Sequence, residues 1–175
     1  MTWHSFELRP AGAPPLPPQV RERIEAGRPR FAAMAREQYG LEINQGPFGI
    51  DSRPALIGEQ YARAQGAGLA YHAAVMAAYW QNAQRIDDPQ VLAGIAESVG
   101  LKRDDFLAAL AAPEYARAVD EDIAWAHQNG MTGVPALVFA ERYLVIGAQP
   151  YPVLENVVRR CEAEGLGVRD AGLGS

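Results

Sequence analysis

The sequence predicts an α/β fold in which one long helical stretch separates a short N-terminal strand from a C-terminal β-hairpin and its closing helix. Three observations carry this reading. Trp3–Arg9 alternates, with His4, Phe6 and Leu8 on one face and Trp3, Ser5 and Glu7 on the other. Between Gln19 and Asn129, apolar residues recur at helical spacing between capping and breaking residues. After Gly130 an apolar run, Val134 to Phe139, carries its one proline at the second position, where a strand can begin with one.

Length and composition set the outer limits. A chain of 175 residues, 49% hydrophobic and 21% charged, builds one domain, or one with an insertion, around a proper core. The formal net charge of -5 argues against nucleic acid or an anionic membrane as main partner. No stretch reaches transmembrane length, and Met1 to Pro10 lacks the basic start and apolar core of a signal peptide, so a cytoplasmic location is expected. The single cysteine, Cys161, allows neither an internal disulfide nor a C-x-x-C motif.

Residues 11–18 form a Pro-rich linker, expected to run extended over the surface. Residues 19–129 are the helical insertion. Pro29 suits the first turn of a helix that Gly40 stops, and Asp51-Ser52 caps the next. Gly66 and Gly68 divide that helix from the apolar Leu69–Trp80 segment. Asp88 caps and Pro89 opens a helix closed by Gly100, a short one starts at Asp104 or Asp105, and Pro113 opens a longer one ending before Gly130. Arg142–Gln149, rich in β-formers, returns as the second hairpin strand. In a last helix from about Pro152 to Glu164, Leu154, Val157, Val158 and Cys161 share one face, which puts Cys161 on the buried side. Residues 166–175 read as a flexible tail.

The Gly133-Val134-Pro135 corner, the hairpin and the Gly147-Ala148-Gln149-Pro150 turn into a last helix resemble the C-terminal half of a DsbA-like thioredoxin domain. The likeness is to its FrnE-type branch, related to the 2-hydroxychromene-2-carboxylate isomerases and kappa-class glutathione transferases. Phe6-Glu7-Leu8-Arg9-Pro10, Asp51-Ser52-Arg53-Pro54-Ala55 and Tyr143-Leu144-Val145-Ile146-Gly147-Ala148-Gln149 extend it over nearly the whole chain, from Trp3 to about Gly165. The resemblance implies a thioredoxin-like (DsbA-type) fold with a large helical insertion, residues 1–10 and 130–165 making the thioredoxin-like part. It implies a cis Val134–Pro135 bond and a substrate-binding corner at Thr132, Gly133, Val134 and Pro135, beside which an extended protein or peptide substrate pairs. It also implies an N-terminally truncated chain, because the strand, C-x-x-C turn and helix that open the family domain, about 30 residues or more, have no counterpart here.

Thiol–disulfide oxidoreductase is therefore the activity implied by family, with this chain inactive alone. A cysteine-less peptide-binding or chaperone-like module is the alternative, and a glutathione-dependent isomerase-like protein a third reading, with glutathione as its small-molecule partner. No catalytic residue, metal site or cofactor is expected. His4, His72 and His127 are scattered without ligand spacing. Asp87-Asp88, Asp104-Asp105 and Asp120-Glu121-Asp122 read as caps and surface charge. Without the family's first strand, its two neighbours lack ladder partners, and a strand from a second chain, hence a homodimer, is the expected remedy.

Overall fold

In the computed structural model, which describes residues 2–10 and 12–166, seven helices and two strands follow in order. They are α1 (Pro18–Tyr39), α2 (Arg53–Ala64), α3 (Gly68–Trp80), α4 (Pro89–Ser98), α5 (Arg103–Leu110), α6 (Pro113–Gln128), β1 (Ala136–Phe139), β2 (Tyr143–Ile146) and α7 (Tyr151–Ala163). Two compact units result, Arg9–Asp120 and Met1–Leu8 with Glu121–Ser175. Their boundary falls inside α6, between Asp120 and Glu121.

The helical unit is organised around one apolar cluster in which Tyr61, Tyr71, Leu92, Ile95 and Phe106 are buried. The tightest approach is at Gly58 of α2, where a Cβ would stand 2.5 Å from the Tyr71 hydroxyl and 2.6 Å from the Phe106 ring. Helix starts follow the expected punctuation with shifted details. Asp88 Oδ1 accepts the Gln90 N–H at 2.8 Å. At α2 the capping oxygen comes from Asp51, which accepts the Arg53 N–H at 2.9 Å, while Ser52 makes no side-chain cap. α5 starts at Arg103, leaving Asp104 and Asp105 in its first turn.

Two local expectations are corrected. Pro29 does not open a helix: α1 starts at Pro18, where the fixed proline φ suits a first turn, and runs through Pro29 to a left-handed Gly40. Pro29 has no N–H, so the Glu25 carbonyl loses its usual helical donor. Trp3–Arg9 forms no strand either, residues 2–7 having no regular secondary structure. A strand exists only through a ladder neighbour; here the Ser5 N–H is taken by Asp122 Oδ2 at 2.8 Å. Ser5 is buried while Trp3 is 39% and Leu8 63% exposed, so burial does not follow the two faces read from the sequence. The tail expected over 166–175 lies, beyond Leu166, outside the described residues.

The sheet is a two-stranded antiparallel hairpin with Ala136 opposite Ile146 and Phe139 opposite Tyr143. α7 packs against β1. Its stripe reads as expected, with Leu154, Val157 and Val158 half-buried and Cys161 buried. The hairpin turns through Ala140 and Glu141, both at positive φ (52 and 57), closed by the Arg142 N–H on the Phe139 carbonyl at 3.0 Å. This is a primed turn, which favours Asn-Gly over Ala-Glu. Replacing the pair (Ala140→Asn with Glu141→Gly) should stabilise the protein by about 1 kcal/mol, since a left-handed residue with a Cβ costs roughly 1–2 kcal/mol; thermal unfolding checks this, and a lower midpoint would contradict the turn assignment.

Candidate functional site: the Val134–Pro135 corner and its open strand edge

All four residues of the expected corner come together, because they are consecutive and α6 ends immediately before them. Gly130, at φ 73, turns the chain out of the helix, and Met131 is buried, its N–H on the Ala126 carbonyl at 3.0 Å. Thr132, Val134 and Pro135 are exposed and Gly133 is half-buried. The Val134–Pro135 bond is cis.

Pairing beyond the corner follows from one hydrogen bond. The Gly147 N–H donates to the Pro135 carbonyl at 2.8 Å. In an antiparallel ladder, residues that exchange bonds with the neighbour alternate with residues that face away. The Pro135 carbonyl and the backbone groups of Leu137 and Phe139 are therefore spent on β2, whereas Ala136 and Val138 turn theirs to the opposite edge. Among the described residues no strand lies along that edge. The side chains of Val138 (40% exposed), Leu144 (38%) and Ile146 (44%) share one face of the hairpin and leave it apolar and exposed, and Val134 at the corner is 50% exposed. The other face, with Leu137, Phe139, Tyr143 and Val145, is half-buried.

The far end of the hairpin is pinned electrostatically. The Tyr143 hydroxyl donates to Glu164 at 2.6 Å, Arg160 Nε donates to the same carboxylate at 3.1 Å, and Arg142 Nη1 lies 3.3 Å from it. The Arg160 guanidinium also sits 4.9 Å from the Tyr143 ring centre. The hydrogen bond from Tyr143, then that from Arg160, hold the Glu164 carboxyl below its usual range, and the bond to Glu164 raises the Tyr143 phenol. A depressed carboxyl contributes above its unfolded value, and the contribution is lost as pH falls through the folded one. This tie between β2 and α7 is thus present at neutral pH and released in acid.

The sequence reading missed Asp122. Taken for surface charge, its side chain is only 14% exposed and holds the N-terminal segment. One oxygen accepts the Ser5 N–H, and the other lies 2.6 Å from His4 Nδ1. His4 stacks on Trp125 at 5.1 Å, and Phe6 meets His127 at 5.6 Å. Spacing offered no signal, because the partners are more than a hundred residues apart. His72 is engaged elsewhere, 3.2 Å from Glu59 in the helical unit. Cys161, 1% exposed on α7, cannot serve as an accessible thiolate. No metal-holding cluster occurs among the described residues, and no helix there is long and apolar enough to cross a membrane.

A cis-proline corner leading into a hairpin, in a chain that also carries a large helical unit, defines a thioredoxin-like fold of the DsbA type, mostly helical with a small two-stranded sheet. The chain belongs to the DSBA-like thioredoxin domain family, whose match spans residues 1–159. It is similar to a probable DsbA oxidoreductase from Streptomyces coelicolor, with 26% identity and a TM-score of 0.70, covering 89% of this chain and 65% of that one. This chain thus spans just under two thirds of the Streptomyces protein. A 2-hydroxychromene-2-carboxylate isomerase superposes with a TM-score of 0.77 at 20% identity, over 95% of this chain and 84% of that one, a likeness of fold. YwbO of Bacillus subtilis (strain 168) is 27% identical over 161 residues, 89% of this chain and 79% of its own length.

Removing Asp122 should free the N-terminal segment. Asp122→Ala removes the carboxylate that accepts the Ser5 N–H, at a cost of about 1–3 kcal/mol. Chemical denaturation followed at Trp125 and exchange of the Ser5 amide measure it; unchanged stability with Ser5 still protected would show that another group holds the segment.

Proposed function

We propose that this chain supplies the peptide-holding corner of a DsbA-family thiol–disulfide oxidoreductase and binds extended polypeptide at Thr132–Pro135 and along the outer edge of β1. The open edge carries the reading: Ala136 and Val138 turn their backbone donors and acceptors outward, next to the exposed Val134–Pro135 corner and an exposed apolar face, the arrangement by which an added strand binds. Dithiol exchange needs an accessible thiolate and a resolving thiol, and these 175 residues hold one buried cysteine. The chain alone therefore binds without exchanging. FrnE-like protein disulfide exchange is the reaction we assign to the dithiol-bearing form of the family, and the cytoplasm is the compartment we assign to this one.

A cysteine-less peptide-binding or chaperone-like role is the second reading. It shares the same edge and is favoured by the exposed Val134, Val138, Leu144 and Ile146. A second copy of the chain adding its strand at this edge would make the homodimer. The isomerase-like reading, with glutathione, has the likeness of fold for support.

The test uses a fluorescent, valine-rich, cysteine-free peptide and, in parallel, reduction of disulfide-bonded insulin with dithiothreitol as the reductant. Saturable peptide binding is expected, with no catalytic reduction. Val138→Pro removes an outward N–H without touching a bond to β2, so it should weaken binding by about tenfold, the worth of one such bond. Failure of the peptide to bind would sink the proposal, as would turnover abolished by Cys161→Ser.

A further inference from the structure

We infer an interaction surface on the N-terminal half of α1, in the helical unit, that docks an acidic amphipathic helix of a partner protein. Val20, Ile24, Gly27, Phe31 and Met34 follow one another at alternating steps of four and three residues. Such steps draw a narrow seam along one side of a helix, the width that a single partner helix covers. Arginines stand on both sides of the seam, Arg21 and Arg28 along one and Arg23 and Arg30 along the other.

Only the second half of α1 is anchored. Ala35 is buried, Phe31 stands edge-on to Trp80 at 5.9 Å, and the Arg28 guanidinium carbon lies 5.9 Å from the centre of the Phe48 ring. From Pro18 to Gly27 every residue is exposed except the half-buried Val20. Among the described residues no other helix or strand runs alongside α1. The seam nevertheless continues into this half, where Ile24 is 38% exposed. Gly27, in the middle of the seam, has nothing within 4 Å of where a Cβ would stand, which leaves room for a large side chain from a partner. A helical stretch this short is marginal in water by itself, and most helical stability in proteins comes from packing an amphipathic face. A helix laid along the seam supplies that packing.

Charge decides the occupant. Arg21 is tied to Glu25 at 3.0 Å, but the exposed Arg23 and Arg30 meet no carboxylate among the described residues, in a chain of net charge -5. A second copy of the same seam would set arginine against arginine in either orientation, which repels. A membrane surface takes a helix with a strongly apolar face, whereas here the seam is narrow and Glu22 and Glu25 share the exposed half with it. A helix with leucine-like residues on its own seam and carboxylates beside them satisfies both the apolar and the charged parts, as flanking charges select partners in coiled coils.

The experiment titrates the full chain with a fluorescein-labelled synthetic peptide of leucine-seamed heptads flanked by glutamate, and with a twin carrying lysine in place of glutamate. Anisotropy measures binding, and NMR follows the Ile24 methyls. The glutamate peptide should saturate and shift those methyls, while the lysine twin binds about tenfold more weakly or less. Ile24→Gln should weaken the glutamate peptide by about tenfold, since it removes an apolar side chain from the seam. Arg23→Glu with Arg30→Glu should invert the preference, so that the lysine twin binds better, an exchange that an unfolded variant cannot produce. Equal binding of the two peptides, shifts confined to residues away from α1, or an unchanged preference in the double variant would each overturn the inference. So would binding to phosphatidylglycerol vesicles in place of the glutamate peptide, or self-association in sedimentation that Ile24→Gln abolishes.

Discussion

Everything that makes the corner a candidate site depends on the two-sidedness of β1. A strand has donors and acceptors on both edges, and only one edge of β1 is spent on β2. The Gly147–Pro135 hydrogen bond settles which residues face which way: Leu137 and Phe139 inward to the hairpin, Ala136 and Val138 outward. Long unpaired edges invite association, and natural proteins shorten, charge or cover them. Here the outward edge is short, and valines rather than charges surround it. An edge so dressed is fitted to be covered by another strand.

The same pairing rule explains the N-terminal segment. Its alternation of apolar and polar residues is a genuine local signal for a strand, but alternation says nothing about where a partner lies. Without a ladder, the segment's buried backbone still needs acceptors. Asp122 provides one, while His4 and Phe6 use their rings against Trp125 and His127. A carboxylate from a helix thus does part of what a neighbouring strand does in a sheet.

Most of the architecture was legible because its signals are local. Asp88-Pro89, Gly40, Gly100 and Gly130 punctuate helices by their own capping and left-handed geometry, and the proline at the head of an apolar run marks the corner. The last helix showed its buried face, and with it the burial of Cys161, through spacing alone. Pro29 escaped because propensity disfavours proline inside a helix, yet α1 carries it at the loss of one ladder bond. Asp122 escaped for another reason. It matters through what surrounds its side chain, long-range partners on the N-terminal segment, and that circumstance is not written in residue spacing.

Strand addition at the corner requires the outward edge of β1 to be open, and amide hydrogen exchange resolved by residue measures that directly. The Leu137 and Phe139 amides, bonded to β2, should be protected, whereas those of Ala136 and Val138 should exchange at close to unprotected rates, an alternation along four consecutive residues. Added peptide should then slow Ala136 and Val138 and leave the other two unchanged. Equal protection of all four in the free protein would contradict the account, because it would mean that the edge is already paired.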